Sequence, residues 1–365
     1  MIGSRGIPVT YSGIEKALEE MCPRLVQRGH QVTVYTKSNV AYNRDLFKGV
    51  KIVKVPAINT KHLETFTRVG LSLWHEIFSQ SDIVHFHALG PAMFSYIPRV
   101  FSKKTVVTVH GLDWQREKWG WFARQFLKAG EYASARFPNA TIVVSPVLKE
   151  YYDAKYNMQT IYIPNGVRIP AVREPGHIIE EYSLAPKNYL LFASRLVPEK
   201  GCHYLIEAFK RLETHMRLVI AGGSSHTDTY VEQLRLLGKD NPNIIFTGHV
   251  SGELLVELFS NAYLYVLPSS VEGLPLSLLE AMSYGLCVVT SDIPENVSVT
   301  QGIYGCSFRN RDVDDLTKTL KRLLQRPEQV KMIGQRARQH VSEKYNWEYI
   351  VDRTEAVYFS LWESG

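Results

Sequence analysis

The chain contains the stretch Ser270-Val271-Glu272-Gly273-Leu274-Pro275-Leu276-Ser277-Leu278-Leu279-Glu280-Ala281-Met282, an apolar segment with a carboxylate near each end. Gly273 and Pro275 predict a tight turn followed by a helix that starts near Pro275. The first N–H groups of such a helix have no partner within it and can meet an anion. Glu272 and Glu280 flank this helix start, and two acids in so apolar a setting indicate recognition of a polyol. The alternative is a buried helix with a single capping glutamate.

A second motif lies upstream in Phe192-Ala193-Ser194-Arg195-Leu196-Val197-Pro198-Glu199-Lys200-Gly201, where an apolar strand runs into a turn with two cations. Arg195 offers a planar fork and Lys200 a compact charge, so the pair is suited to clamp a diphosphate. The alternative is a solvated turn in which Lys200 pairs with Glu199. Together with the acid-flanked helix start, the cationic turn predicts a site for a nucleotide-diphosphate sugar.

Short β-branched runs alternate with helical patterns along the chain, which predicts α/β structure with parallel sheets. The first series of predicted strands is 31–36, 50–55, 82–86 and 105–109, and the second is 189–193, 217–221, 243–246, 263–267 and 287–290. Proline and glycine residues punctuate the segment 165–186 between the two series. We therefore expect two doubly wound units joined by this segment.

Several motifs are shared with a known family. They are Ser194-Arg195-Leu196 with Lys200-Gly201, Ala221-Gly222-Gly223, Phe246-Thr247-Gly248, Leu267-Pro268-Ser269, Val109-His110-Gly111 and Pro164-Asn165-Gly166-Val167. With the segment from Glu272 to Glu280, they make the chain resemble the family 4 glycosyltransferases over nearly its whole length. The opening Gly3-Ser4-Arg5-Gly6-Ile7-Pro8 and the segment His110-Gly111-Leu112-Asp113-Trp114 resemble a bacterial subgroup of rhamnosyltransferases.

This resemblance implies a retaining enzyme of the GT-B architecture, in which two Rossmann-like doubly wound domains face a cleft and a C-terminal helix crosses back to the first domain. The implied acceptor-side domain is residues 1–170, completed by the helix 346–365, and the implied nucleotide-sugar-binding domain is residues 171–345. The implied reaction moves a hexose or deoxyhexose from a nucleotide-diphosphate sugar to a saccharide or lipid-linked acceptor. The implied setting is bacterial surface polysaccharide synthesis, without a metal or other cofactor.

The resemblance also implies roles for individual residues. His110, Glu272, Arg195 and Lys200 match catalytic positions, with His110 lining the transferred sugar, Glu272 binding a sugar hydroxyl and Glu280 binding the ribose hydroxyls. The positions that match donor-binding residues are Gly13, Asn165, Gly273, Leu274, Pro275, Leu276, Ser277 and Glu280.

His110 follows a β-branched run, which predicts that it lies at the carboxyl end of a strand, where ligands bind in open α/β sheets. The alternative is an ordinary core histidine. The nearby His85 and His87 have weaker claims to a role in the site.

The start of the chain departs from the expected pattern, since only Met1 and Ile2 precede the first glycine where a full strand is expected. We therefore expect the true start to lie upstream. In the loop that follows, Gly13 permits close approach of the backbone to a phosphate or sugar. Ser12 replaces a glycine that the family usually has, and its hydroxyl is predicted to cap the next helix.

Charge is unevenly divided in this chain of 365 residues, whose net charge is +6. Residues 1–170 carry 22 Lys and Arg against 12 Asp and Glu, and the remaining residues carry 20 against 24. A basic first half suits an anionic acceptor or peripheral contact with the inner membrane, although solubility alone could explain it. The segment Lys118-Trp119-Gly120-Trp121-Phe122-Ala123-Arg124-Gln125-Phe126-Leu127-Lys128 could lie at a membrane surface, line an acceptor cleft or simply join the core.

Other classes of protein are disfavoured. The four cysteines lack metal-site spacing, no apolar run is long enough to span a membrane, and no nucleic-acid motif accompanies the basic half, so we expect a cytoplasmic enzyme. The sequence Asp312-Val313-Asp314 begins an amphipathic helix and is better explained as a cap than as a metal site. Two alternatives stay open: a nucleotide-sugar epimerase, and a non-catalytic partner subunit of the same architecture.

Overall fold

The computed structural model describes residues 1–8, 13–38, 44–58, 63–116, 119–224 and 227–363. It divides into two compact units. Unit 1 comprises Met1–Gly166 and Trp347–Gly365, and unit 2 comprises Val167–Asn346. Ser12, which stands where the family usually has a glycine and which is predicted to cap the next helix, lies outside the described residues.

Unit 1 contains two hydrogen-bonded sheets. Its strands are β1 (Thr33–Lys37), β2 (Leu46–Phe47), β3 (Val50–Val55), β4 (Ile83–His87), β5 (Lys104–Val109), β6 (Ala140–Val143) and β7 (Ile161–Tyr162). One sheet has the order β1-β3-β2 and the other the order β4-β5-β6-β7. All pairs are parallel except β2 with β3, because helical crossovers separate most of the strands.

Met1 and Ile2 bridge these two sheets. The amide of Tyr35 in β1 donates to the Met1 carbonyl at 3.2 Å, and on the other side the Ile2 amide donates to His85 O at 2.9 Å. The amide of His87 in turn donates to Ile2 O at 2.9 Å. These two residues therefore lie between β1 and β4 and hydrogen bond to both.

Helices cover the sheets of unit 1. They are α1 (Gly13–Gln27), α2 (Leu63–Ile77), α3 (Leu89–Ala92), α4 (Ile97–Val100), α5 (Trp121–Arg136) and α6 (Pro146–Tyr156). The apolar face of α1 is buried through Leu18, Met21 and Leu25, at the spacing of a single helical stripe.

Unit 2 is built on one sheet of six strands. These are β8 (Tyr189–Ala193), β9 (Arg217–Ala221), β10 (Ile244–Gly248), β11 (Leu264–Leu267), β12 (Cys287–Ser291) and β13 (Cys306–Phe308). Their order is β10-β9-β8-β11-β12-β13 and every pair is parallel. The order reverses between β8 and β11, and such a switch point leaves a crevice at the carboxyl ends of the strands.

The helices of unit 2 lie before, between and after these strands in the sequence. They are α7 (His177–Tyr182), α8 (Cys202–Lys210), α9 (Asp228–Gly238), α10 (Gly252–Asn261), α11 (Leu276–Ser283), α12 (Pro294–Thr300), α13 (Val313–Leu324) and α14 (Pro327–Lys344). A contiguous apolar core joins the central strands to α8 and α13 through Phe192, Phe209, Val266 and Leu320.

The last helix, α15 (Trp347–Glu363), belongs to unit 1 and packs against α1. Arg28, the residue directly after α1, contacts Glu348, Asp352 and Glu355, which lie on successive turns of α15. The Trp347 indole lies over Gly166, where a Cβ atom would come within 2.5 Å of the ring. Among the described helices, none is long and apolar enough to cross a membrane.

Candidate active site

The cationic turn and the acid-flanked loop meet at the switch point of unit 2. The cationic turn follows β8 and the acid-flanked loop follows β11, and these two strands pair directly in the sheet. The carboxyl ends of neighbouring parallel strands lie at the same edge, so the side chains of Lys200 and Glu272 come together. Lys200 Nζ donates to Glu272 Oε1 at 2.6 Å.

This ion pair is nearly dry, since the Lys200 and Glu272 side chains are only 11% and 8% exposed. The reading of the cationic turn as a solvated turn with a Lys200–Glu199 pair is therefore wrong. Glu199 is itself buried, and its carbonyl accepts a 2.8 Å hydrogen bond from the amide of Ser270. The two loops are thus joined by a backbone contact as well as by the charges.

Gly201 makes this close approach possible. Its φ of +67° lies in the left-handed region, and a Cβ atom there would come within 2.0 Å of the Pro268 carbonyl oxygen. On the far side of the loop, Ser269 Oγ accepts from Asn296 Nδ2 at 3.4 Å, and Ser291 Oγ donates to the Ser269 carbonyl. The segment after β11 is therefore held from two sides by buried groups.

Helix α11 begins at Leu276, one residue after the predicted start, with Pro275 in the N-cap position. The amides of Leu278 and Leu279 already reach the Pro275 carbonyl, so the N–H groups of Leu276 and Ser277 are those left without an intrahelical acceptor. The Ser277 side chain hydrogen bonds to buried Tyr265, whose hydroxyl donates to Ala193 O at 3.1 Å.

The remaining predicted residues of unit 2 lie around the same loop. Gly273, Leu274 and Pro275 are buried, whereas Arg195 and Glu280 are partly exposed. Sequence reasoning missed Glu295, at the start of α12. Burial and the negative charge of Glu272 raise the pKa of the Glu295 carboxyl.

In unit 1, His110 directly follows β5, as the sequence predicts, and its ring is partly buried. Burial lowers the pKa of His110 to about 4, with Asp113 opposing this shift and Arg116 adding to it. The imidazole is therefore neutral at neutral pH. It can accept or donate a hydrogen bond there but carries no positive charge.

His110 has a partner in His87, for which the sequence indicated only a weak claim to a role in the site. His87 Nδ1 lies 3.2 Å from His110 Nε2, and the His87 ring stacks on His85 with centroids 4.3 Å apart. The only available signal was positional: His87 ends β4, and β4 pairs with β5 in register.

The loop after His110 is anchored by Trp114. Its indole Nε1 donates to Glu131 Oε2 at 2.6 Å, and the other oxygen of Glu131 accepts from Tyr151, Lys155 and Tyr156. These donors lower the pKa of the Glu131 carboxyl against the effect of its burial. The carboxylate is thus kept charged in a fully buried position.

Two of the predicted donor-binding residues, Gly13 and Asn165, lie in unit 1. Gly13 is exposed as the first residue of α1, and Asn165 is buried next to the Gly166–Trp347 contact. In the aromatic segment of α5, Leu127 is buried, whereas Trp121 is 67% exposed and Phe122 is 83% exposed.

Asp312 caps a helix, as the sequence predicts. Its Oδ1 accepts from the amide of Asp315 at 2.9 Å at the start of α13, and its other oxygen pairs with Arg309.

Two family models match the chain, one to each series of strands. A model described as Glycosyltransferase Family 4 matches residues 11–169, and a model described as Glycosyl transferases group 1 matches residues 178–340. The chain therefore carries a glycosyltransferase family 4 domain followed by a group 1 glycosyltransferase domain. The glycogen synthase of Mycobacterium tuberculosis is 27% identical over an alignment that covers 97% of this chain and 92% of that protein. The alpha-maltose-1-phosphate synthase of the same organism is 26% identical over 77% of this chain and 79% of its own.

Solved structures agree on the fold of this glycosyltransferase. Sucrose-phosphate synthase from Thermosynechococcus elongatus superposes with a TM-score of 0.82 at 20% identity, covering 96% of this chain and 93% of that one. HepE from Anabaena, in complex with UDP and glucose, gives 0.81 at 16% identity, with 96% of both chains covered. The expected architecture of two Rossmann-like domains is therefore confirmed.

Proposed function

We propose that this glycosyltransferase moves a hexose or deoxyhexose from a nucleotide-diphosphate sugar to a saccharide or lipid-linked acceptor, with retention of anomeric configuration and without a metal. The observation that carries the proposal is the buried Lys200–Glu272 pair next to the N-terminus of α11. A cation that neutralises a phosphate and a carboxylate that binds a hydroxyl stand side by side, where a sugar diphosphate needs both.

Breaking the anomeric C–O bond places negative charge on the leaving diphosphate. Lys200, Arg195 and the N–H groups of Leu276 and Ser277 are the donors of unit 2 that can stabilise this charge. When the diphosphate binds, Lys200 shares its charge with a phosphate oxygen, and Glu272 accepts a hydrogen bond from a sugar hydroxyl. Glu280 accepts from the ribose hydroxyls.

Neither glutamate is needed as a nucleophile on this proposal. The acceptor attacks from the same face that the diphosphate leaves, and a phosphate oxygen takes the acceptor proton. The configuration at the anomeric carbon is then retained. His110, with its neutral imidazole, lines the transferred sugar and contributes a hydrogen bond rather than a charge.

The proposal is tested by a panel of UDP, GDP, dTDP and ADP and their hexose and deoxyhexose conjugates, including a dTDP-deoxyhexose suggested by the rhamnosyltransferase resemblance. Thermal shift identifies the base, and NMR of the glycosylated product gives the anomeric configuration. A stable product with retained configuration supports the proposal. An inverted product contradicts retention, interconversion of the free nucleotide sugar indicates an epimerase, and no binding by any diphosphate indicates a non-catalytic subunit.

The proposal includes peripheral contact of unit 1 with an anionic membrane surface. Every exposed large aromatic side chain in the described part of the chain lies in unit 1, and the surplus of positive charge lies in the same part of the sequence. Trp121 and Phe122 lie in the first turn of α5, and the cations Arg124 and Lys128 follow on the same helix. Aromatic rings that enter a headgroup region beside cations are typical of interfacial helices.

Sedimentation with vesicles tests this contact. The chain is expected to bind vesicles of phosphatidylcholine with phosphatidylglycerol more tightly than phosphatidylcholine alone, and to be released by salt. Trp121→Ser with Phe122→Ser weakens the binding, whereas Leu236→Ser, an equally exposed apolar position of unit 2, leaves it unchanged. Equal loss in both variants, or no binding to either vesicle, contradicts the contact.

A further inference from the structure

Three histidines form a buried chain at the carboxyl ends of β4 and β5. His85 uses both ring nitrogens: Nδ1 contacts the Tyr358 hydroxyl at 2.6 Å and Nε2 contacts Thr108 Oγ1 at 2.7 Å. The His87 ring stacks on His85, which fixes its plane, and its Nδ1 faces His110 Nε2 at 3.2 Å. His87 is 2% exposed.

The contact between His87 and His110 joins two neutral rings. Burial lowers the pKa of His87 well below its ordinary value and that of His110 to about 4. A neutral imidazole has one N–H and one bare nitrogen, so one of the two rings donates and the other accepts. His110 Nε2 faces His87 in either case. The direction of this hydrogen bond therefore decides whether the other nitrogen of His110, Nδ1, carries a proton.

The second nitrogen of His87 distinguishes the two directions. His87 Nε2 is buried and has no hydrogen-bond partner. If His110 donated, His87 would carry its own proton on Nε2 and would bury an unpaired N–H. If His87 donates from Nδ1, only a bare lone pair is left unpaired at Nε2. Buried N–H groups without a partner are rarer in proteins than under-satisfied acceptors.

We propose that His87 is a positioning residue that donates its Nδ1–H to His110 Nε2 and so holds His110 in the Nδ1–H tautomer. The inference rests on the proposed function for one point only, namely that His110 faces the transferred sugar. With Nε2 occupied, His110 presents Nδ1–H to a sugar oxygen as a hydrogen-bond donor. It does not act as a proton acceptor through Nε2.

The charged groups around His110 are compatible with this arrangement. Asp113 and Arg116, on the loop that follows His110, pair with each other at 3.1 Å and have opposite effects on the His110 pKa. On the side of β4, the groups that face it are His87 and, behind that ring, His85, both with pKa values held low by burial. Adding a proton to His110 Nε2 would require the hydrogen bond from His87 to break.

The tautomer is measured directly by proton–nitrogen correlation NMR of the ring nitrogens in the intact, ligand-free chain. Spectra of His110→Gln and His87→Asn assign the two rings among the twelve histidines. The expected result is His110 with its proton on Nδ1 and a bare Nε2. A His110 ring protonated on Nε2 overturns the inference, whatever the enzyme's activity.

Two amide variants of His87 provide a matched pair. The amide N–H of His87→Asn can replace the Nδ1–H, whereas the longer His87→Gln carries its amide at the place of Nε2. We expect His87→Asn to keep the His110 tautomer and most of kcat/KM. We expect His87→Gln to mix the tautomers of His110 and to lower kcat/KM about tenfold, the value of one hydrogen bond.

Folding defects are separated from this effect by two further measurements. Both variants must keep the wild-type thermal shift with the nucleoside diphosphate, which reports on unit 2, and the wild-type far-ultraviolet spectrum. Equal loss of kcat/KM in the two variants, with the His110 tautomer unchanged, overturns the positioning role. A wild-type chain that shows the Nδ1–H tautomer but transfers no sugar contradicts the proposed function and leaves the tautomer assignment standing.

Discussion

Lys200 and Glu272 form an ion pair that is almost fully buried. Each charge is therefore compensated by the other and not by water. Lys200→Ala leaves the Glu272 carboxylate buried without its partner, and we expect a loss of about 3 kcal/mol in the free energy of unfolding. Transfer is expected to fall by about 10²–10³-fold, because a charge-assisted contact with the leaving diphosphate is lost.

Denaturant unfolding and initial rates separate these two effects in the double variant Lys200→Ala with Glu272→Gln. Removing the orphaned charge should restore most of the stability but none of the activity. If the double variant is as unstable as Lys200→Ala, the ion pair is not the source of the loss. Full turnover by Lys200→Ala would exclude the phosphate role.

The buried histidines predict a stability that declines in mild acid. Burial lowers the pKa values of His85, His87 and His110 in the folded chain, whereas in the unfolded chain they bind protons near 6.5. The unfolded state therefore binds more protons below pH 6.5. The stabilising contribution of the three neutral histidines is complete above pH 6.5 and is lost as the pH falls toward 4.

Buried carboxylates such as Glu131, whose pKa is lowered, contribute above about pH 4.5 and lose their effect only below it. A decline between pH 6.5 and 5 therefore belongs to the buried bases whose pKa values are lowered by burial, namely the histidines and the Met1 amine. Urea unfolding at pH 7.5, 6.5 and 5.5 measures it, and His87→Asn should reduce the slope. His215→Gln, at an exposed position, is the control that should not. A free energy of unfolding that is constant over this range contradicts the prediction.

Many residues of the candidate site could be predicted from the sequence, because they lie together in short motifs such as the segment from Glu272 to Glu280. The direct Lys200–Glu272 contact could not, since it depends on β8 and β11 being neighbours, a pairing that no local pattern specifies. His87 was given a weaker claim than His110, and Glu295 was missed, for the same reason: their partners are distant in the chain and near in space.

At the scale of elements, the loop after β11 depends on the shape of the turn after β8. Gly201→Ala places a methyl group 2.0 Å from the Pro268 carbonyl, so one of the two segments must move. We expect weaker binding of the nucleoside diphosphate and a loss of about 1–3 kcal/mol in stability. Calorimetric titration and thermal melting measure the two effects.

Gly302→Ala is the matched control for that change. Gly302 has a φ of +70°, close to the +67° of Gly201, but has no atom within 4 Å of the place of its Cβ. It should therefore show the backbone cost alone and bind the diphosphate normally. If the two alanine variants behave alike, the contact with Pro268 has no influence on the site.

The strands that the sequence predicted best are those buried on both faces. β8 and β9 lie where the apolar runs place them, because a central parallel strand must be apolar throughout. The strands β2, β6, β7 and β13 were not predicted. They are two to four residues long, and β2, β7 and β13 lie at sheet edges, so their sequences carry little periodic signal.

At the scale of the molecule, the two units have separate apolar cores, one built around α1 and α15 and the other around β8, β9 and α13. We expect calorimetry to resolve two unfolding transitions. A nucleoside diphosphate at 100 times its Kd should stabilise one of them by about 2.7 kcal/mol. Gly201→Ala should lower that same transition, and Arg28→Ala, which removes three ion pairs between the end of α1 and α15, should lower the other.

A single transition, shifted by both variants and by the diphosphate, would show that the two cores unfold together. A diphosphate that shifts the transition lowered by Arg28→Ala would place the main binding contacts in unit 1 and contradict the roles assigned to Lys200 and Glu272.

The bond from Trp114 to Glu131 makes one of the six tryptophans an optical reporter. An indole that donates to a buried anion emits under the field of that charge, so its spectrum changes when the donor–acceptor geometry changes. Trp114 lies four residues after His110, on the loop that would meet an incoming sugar. Fluorescence of the intact chain, compared with Trp114→Phe, therefore offers a way to follow sugar binding in real time without waiting for turnover.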